Sequence, residues 1–368
     1  MSKDSRKCML KNRTISKKIS KYIIGIFMSA VFATTLLGGC ADKAPEEIVD
    51  EEEETTVVFR FGDSIVTIGE IYIYVNTVSE RYELQYGQDV WKLSLPEDGE
   101  EQTSMEELTR EEIINQIIKV KTLVAHSSDY GVALSDAEQE ELRNVSKTFY
   151  EGLTDEDILQ LELTEDRVYQ VLSENMISGK VQQKLLENDP VEISDEDARM
   201  TTFFDMYFAC YSIDKNGKVK PFTKEEKDIQ YENALQACST LGTASIDDNK
   251  DADSIEKLVE YYKLDQAGEQ TLSPEEILEI YGKDIYDMLY SMDDGTYSTV
   301  VESEYGYHVF QMISRTDRKA TKAKKEQMTQ DEMELKLSTT LNNWKKEIAP
   351  DFVYPDSIRM DIYETIKF

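Results

Sequence analysis

Histidine is the scarcest chemistry-bearing residue in this 368-residue sequence, with only His126 and His308. That excludes any site built from several histidine ligands, and no Cys/His cluster has metal-ligand spacing. No metal and no cofactor is expected. Cysteine is almost as sparse: Cys8 and Cys40 near the N-terminus, then Cys210 and Cys238. So few cannot make a disulfide framework. Cys210 and Cys238 sit in apolar stretches and read as buried thiols, with one bridge as the alternative. Positive charge is also short, 41 Lys and Arg against 74 Asp and Glu, for a formal net charge of −33. Nucleic acid and a bare anionic membrane would repel such a chain, whereas a cationic or unfolded polypeptide would not be repelled. There is no long-period repeat. The repeated βα units of a bilobal solute-binding fold are missing too.

The basic residues that do occur crowd the start. Lys3, Arg6, Lys7, Lys11, Arg13, Lys17, Lys18 and Lys21 precede an apolar run of 16 residues, Tyr22 to Leu37. The run is short for a membrane span, which needs about 20 residues. A charged head, an apolar core and the small pair Gly38-Gly39 read as a secretory signal. Leu36-Leu37-Gly38-Gly39-Cys40 resembles a bacterial lipobox, which implies cleavage before Cys40 and lipidation of its thiol. Two or more acyl chains hold a protein stably on a membrane. Residues 1–39 carry eight basic side chains and one acidic, so the mature chain is near −40. Residues 40–54 end in Glu51-Glu52-Glu53-Glu54 and read as an extended, self-repelling tether.

Thr55 to Val66 alternates in the manner of a strand or hairpin, turning at Gly62-Asp63. Helical periodicity follows. Ile71, Val75, Val78 and Tyr82 form one stripe; Ile113, Ile117, Val120 and Val124 form a second. Val168, Val171, Leu172, Met176, Val181 and Leu185 form a third. Spacings of three and four put each set on one helix face. Capping boxes at Thr109…Glu112, Ser135…Glu138, Thr154…Asp157 and Ser194…Asp197 predict helix starts. The segment 55–200 is expected to be a mostly helical domain.

Near Thr202 the character changes. Phe203 to Ile213 is aromatic and β-prone. Thr223…Glu226 predicts a helix to Leu241, then comes a polar insert to Asp253 and a short helix over Ser254 to Leu264. Ser273-Pro274-Glu275-Glu276 is a strong helix start. Thr299 to Glu302 and Tyr307 to Ser314 read as strands, so 202–316 is expected to run β-α-α-α-β-β. Residues 320–368 are expected to hold a charged amphipathic helix with Met333, Leu337, Leu341 and Trp344 on its apolar face, packing on the N-terminal helices.

The stretch from Gly295 through Ser298, Val301 and Tyr305-Gly306-Tyr307-His308-Val309 resembles the C-terminal signature of parvulin-type peptidyl-prolyl isomerases. The whole plan, a lipid anchor and helical flanks around such a domain, is similar to the extracytoplasmic foldase lipoproteins of Gram-positive bacteria. The resemblance implies an α+β fold: a mostly helical chaperone-like domain built from N- and C-terminal segments, with an inserted parvulin-like domain. It implies a chain on the outer face of the cell membrane that binds unfolded or nascent secreted proteins and isomerises X-Pro bonds.

By the same resemblance His308 is the second histidine of the family, and Ser298 belongs to its signature. Asp265 falls where the family has Asp or Cys. Ile285 falls where a pocket-wall Phe is usual, with Tyr281 a turn before it; Met288 and Phe208 complete the expected substrate wall. The first family histidine is missing, with Tyr207 or Met206 in its place, and the Gly-rich loop is reduced to Ala267-Gly268-Glu269-Gln270. Weak turnover is implied. A chaperone with an inactive parvulin domain is the alternative. Tyr281, Ile285 and Met288 also read as ordinary core positions.

Overall fold

The computed structural model describes residues 56–96, 102–243 and 252–368; Cys40, the leader, the tether and most of the polar insert lie outside the described residues. The chain is α+β. It divides into two units, one ending at Pro190 and joined by Met333–Phe368, the other Val191–Glu332. No helix among the described residues is long and apolar enough to cross a membrane.

The first unit opens with an antiparallel hairpin, β1 (Val57–Phe61) and β2 (Ser64–Thr67). Gly62 turns it at φ 54°, where a side chain would be strained and would meet Ile348. Helix α1 (Ile68–Tyr86) starts on the Thr67 cap. A 3₁₀ turn (Gln88–Lys92) and a small hairpin, β3 (Ser94–Pro96) with β4 (Gln102–Ser104), lead into α2 (Met105–Ala125). Then come α3 (Asp136–Tyr150), α4 (Asp155–Leu161) and α5 (Glu165–Asn188). The Ser135 and Thr154 boxes cap α3 and α4 as the sequence predicts.

Two expected helix starts fall elsewhere. Ser104 and Glu107 form a box one turn ahead of Thr109, so Thr109 lies inside α2 and its hydroxyl donates to the Met105 carbonyl at 2.7 Å. Ser194 does accept from the Asp197 amide, at 3.0 Å, but the chain makes one turn there and no helix.

The apolar stripes do what their spacing implies. Ile71, Val78, Ile113, Ile117, Val168 and Leu172 are buried in one core. The C-terminal segment completes it. Tyr363, on the short α10 (Met360–Tyr363), is fully buried and donates to the Arg110 carbonyl at 2.9 Å. Arg110 in turn donates to the carbonyls of Tyr363 and Ile366. The long α9 (Arg318–Ile348) has the latter part of its length, from Met333, in this unit. There Leu337 is buried, and the Trp344 ring stacks on His126 at 4.0 Å.

The second unit is built on a four-stranded antiparallel sheet, ordered β8–β5–β10–β9: β5 (Thr201–Ala209), β8 (Gly268–Leu272), β9 (Val301–Ser303) and β10 (Gly306–Ser314). Between β5 and β8 run a two-stranded hairpin, β6 (Tyr211–Ile213) with β7 (Val219–Pro221), and the helices α6 (Lys224–Thr243) and α7 (Ala252–Tyr262). Helix α8 (Pro274–Ser291) follows β8 and breaks at Gly282, where φ is 78°. The sequence reading has no counterpart of β7 or β8, and its single strand Phe203 to Ile213 is divided at Cys210 into β5 and β6. Strand parity sorts the core. Phe203, Phe310 and Met312 face Ile277, Ile285 and Leu289 of α8. Met206, Phe208 and Val309 face Ala234, Ala237 and Leu241 of α6 and Ile255 of α7.

Candidate functional site

His308 lies opposite Tyr207 in the β10–β5 ladder, and Phe310 lies opposite Asp205. All four therefore stand on the α8 face of the sheet. Asp205 is the diagonal neighbour of His308, within reach of its ring. The His308 Nδ1 is 2.9 Å from Asp205 Oδ1 and 3.1 Å from Oδ2. Its Nε2 is 2.9 Å from the Ser303 hydroxyl on β9. A carboxylate only accepts, so Nδ1 carries a proton and donates to Asp205, while Nε2 faces the Ser303 hydroxyl, which also donates to the Gly306 carbonyl at 3.2 Å. The imidazole is also fixed by its rings: Tyr207 stacks at 4.6 Å and Phe310 at 5.3 Å. His308 and Asp205 side chains are only 7% and 8% exposed.

Helix α8 adds Tyr281, whose hydroxyl donates to Asp205 Oδ2 at 3.2 Å. Burial, and then the adjacent Asp205, push this phenol well above its ordinary range. Tyr207 is raised likewise, chiefly by burial. Both hydroxyls thus keep their protons at any working pH. The Tyr207 hydroxyl is occupied by the Tyr305 carbonyl, at 2.9 Å.

These groups form one end of a cavity of about 630 Å³. Ile285, Ile280, Gln266 and Gln270 line it as well. It has an apolar wall, a rigid polar line and an open side, so it can hold a small ring against Ile285 and Tyr281 while its polar atoms reach His308 and Ser303. Among the described residues no group of His, Cys, Asp or Glu is arranged to hold a metal ion.

The structure brings His308, Tyr207, Tyr281 and Ile285 together around this cavity. Ser298 is buried, lines no part of the cavity and serves the backbone: its hydroxyl accepts from the Phe310 amide at 2.9 Å and donates to the Thr299 carbonyl at 2.7 Å. Met288 packs into the α8-side core without lining the cavity. Asp265 is exposed in the loop after α7 and lines no part of it. Phe208 and Met206 point to the opposite face, where Phe208 meets Tyr262 at 5.5 Å. Cys210 and Cys238 are unbridged, and burial pushes both thiols up.

Two members of the polar line, Asp205 and Ser303, are not among the residues the sequence reading selects. A carboxylate inside the apolar run Phe203-Phe204-Asp205-Met206-Tyr207 was the available signal, because an acid is seldom buried without a partner.

Gly306 is a requirement of close approach. A Cβ there would sit 2.3 Å from the Phe208 carbonyl oxygen and 2.8 Å from the Tyr207 ring. Gly306→Ala should therefore cost about 1–3 kcal/mol through overpacking. Urea unfolding measures it; an unchanged midpoint would refute the close fit.

No protein-family model matches this chain. It is 22% identical to the foldase protein PrsA of Clostridium tetani over 357 residues, 92% of this chain and 96% of the relative. The likeness is to the PrsA-type foldases. Foldase protein PrsA 3 of Bacillus cereus is 26% identical over 113 residues, 28% of this chain and 40% of that PrsA. Among solved structures, foldase protein PrsA of Streptococcus pneumoniae aligns with 74% of this chain and 100% of its own, at 12% identity and a TM-score of 0.25. The peptidylprolyl isomerase PrsA of Bacillus cereus aligns with 74% of this chain and 96% of its own, at 14% identity and a TM-score of 0.22.

Proposed function

We propose that this chain is a lipid-anchored extracytoplasmic foldase. Its helical unit binds unfolded secreted polypeptides, and its sheet unit isomerises X-Pro peptide bonds. The observation that carries the catalytic part is the fixed line Ser303–His308–Asp205 beside an apolar wall in one cavity. The full-length likeness to a foldase supports it. The anchoring part rests on the lipobox ending at Cys40.

The reaction breaks no covalent bond. Its barrier of about 18–20 kcal/mol comes from amide resonance. A catalyst must favour the twisted amide over both planar forms. The proline ring packs against Ile285 and Tyr281. The preceding residue lies on the Ser303 and His308 side of the cavity. As the C–N bond twists, the lone pair shared with the carbonyl returns to nitrogen, the oxygen loses charge, and an apolar wall beside a polar line that need not reorient favours this form over the planar ones. Asp205 and Tyr281 keep the His308 ring in one orientation throughout.

A second reading, a chaperone with a catalytically silent sheet unit, is favoured by one observation: the Tyr207 hydroxyl is held by the Tyr305 carbonyl and does not stand in for a second imidazole. A protease-coupled assay on a proline-containing peptide decides between them. Acceleration of the slow cis phase, lost in His308→Ala with the fold retained, is the expected result. No acceleration by the native chain would favour the chaperone reading.

A further inference from the structure

The cavity differs in charge from wall to rim, and the rim bears on which X-Pro segments would enter. Besides the buried Asp205, three acidic residues line it: Asp284 on α8, and Glu302 and Glu304 on β9 and the turn to β10. All three are exposed. Among the described residues the single cation lining it is Lys283, and Asp287 already holds its Nζ at 2.5 and 2.7 Å. The remaining polar side chains facing the opening, Gln266 and Gln270, are neutral. Tyr305 lines the same rim with 56% of its surface exposed. An exposed phenol ring among carboxylates attracts a cation to its face.

Geometry gives the direction. Ser303 is 2.9 Å from His308 Nε2 and is flanked by Glu302 and Glu304, so a residue held beside His308 has the turn Ser303-Glu304-Tyr305 at its edge. We propose that the site selects X-Pro segments in which X is lysine or arginine. The proposal rests on the isomerase reading for its placement of the proline. The long aliphatic stem of either residue would lie along Tyr305, and its charge would reach the acidic rim. A glutamate in the same place would meet like charge. Exposed ion pairs are individually weak, and screening weakens them further. Their sum over this rim should be a preference of roughly tenfold, which fades with salt.

The test uses the full chain solubilised in a neutral detergent and three labelled peptides, Ala-Lys-Pro-Phe, Ala-Ala-Pro-Phe and Ala-Glu-Pro-Phe. Binding is read by fluorescence anisotropy and isomerisation by protease coupling. The lysine peptide should bind about tenfold tighter than the glutamate peptide at low ionic strength, with the gap shrinking as salt shortens the screening length. Neutralising the rim together, Asp284→Asn, Glu302→Gln and Glu304→Gln, should reduce the gap to about twofold or less. Equal binding of the lysine and glutamate peptides overturns the proposal, as does a gap that survives rim neutralisation. Preferential binding without turnover would overturn the isomerase reading and leave the preference standing. Turnover without preference does the reverse. No binding of any peptide overturns both.

Discussion

Replacing Lys121 with methionine should destabilise the helical unit by about 3–5 kcal/mol, the cost of breaking a buried ion pair from one side. Lys121 on α2 is 5% exposed and lies between two carboxylates. Its Nζ is 2.9 Å from Glu70 Oε1 and 2.5 Å from Glu174 Oε2. Glu70 on α1 has no exposed surface, and its other oxygen is 3.0 Å from the Arg167 guanidinium of α5. Arg167 is shared with the Ile65 carbonyl, to which it donates at 2.8 Å. Two acids and two bases thus balance in one cluster, Glu70 and Lys121 buried and Glu174 and Arg167 partly exposed. Methionine keeps the volume and removes one base, which takes the ammonium from both Glu70 and Glu174 and leaves Arg167 on Glu70.

The pH dependence of that loss has a definite sign. Burial raises the Glu70 pKa, and Lys121 is the first influence opposing the rise. A carboxyl with a raised folded pKa binds its proton more tightly in the folded state. Its unfavourable contribution is therefore absent below the unfolded value and appears as pH rises toward and through the folded one. Without Lys121 the folded pKa climbs further. The deficit of Lys121→Met should be full near neutral pH and shrink on acidification, as Glu70 takes up a proton. Glu70→Gln in the same background should recover part of the loss, because the two sites are directly coupled. Urea unfolding across pH, on both variants, measures this. A deficit under about 1 kcal/mol, or one that grows on acidification, would remove the cluster from the account of stability.

What could be read from the sequence, and what could not, follows the range of the interactions. The stripes on α1, α2 and α5 are local: Ile and Val at spacings of three and four leave one helix face to bury, so the core positions could be named directly. The Thr109 start failed at the same local level, because Ser104 and Glu107 offer an equivalent box one turn earlier and the helix extends to the first cap that closes it. Strand β8 was not visible because Gly268-Glu269-Gln270-Thr271-Leu272 has little apolar alternation. As an edge strand it is specified by its backbone partner, β5.

The site shows the same division more sharply. His308, Tyr281 and Ile285 could be selected from a short signature and a helix face. That Asp205 meets His308 depends on the β5–β10 register, which joins residues about a hundred positions apart, and register is a tertiary property. Once it is known, parity does the rest. Tyr207 and Asp205 take the His308 face, and Met206 and Phe208 take the other. Ser303 enters through the β9–β10 turn, where His308 pairs with Val301 and Gly306 with Ser303.

Asp205 is accordingly the residue whose loss should cost the most turnover after His308 itself. Removing one preorganised polar contact from a transition-state site commonly costs about a hundredfold or more in rate. Asp205→Ala frees the His308 Nδ1, unpairs the Tyr281 hydroxyl and leaves the imidazole tautomer unfixed, so Nε2 no longer presents one defined state to Ser303. Turnover of a proline-containing peptide should fall by about two orders of magnitude, with the loss in kcat and KM little changed, since the apolar wall that holds the ring is intact. Asp205→Asn is the discriminating partner. Its amide oxygen can still accept from Nδ1, and its volume is nearly the same, so packing and ring orientation survive while the charge is lost. Its turnover should lie between native and Asp205→Ala, at about a tenth of native. Burial keeps the Tyr207 and Tyr281 protons in place at high pH, so neither phenol should impose an alkaline limb on the native rate up to about pH 10. If Asp205→Ala turns over as fast as the native chain, or if Asn and Ala are equally impaired with KM rising in step, Asp205 is a packing residue and His308 acts without it.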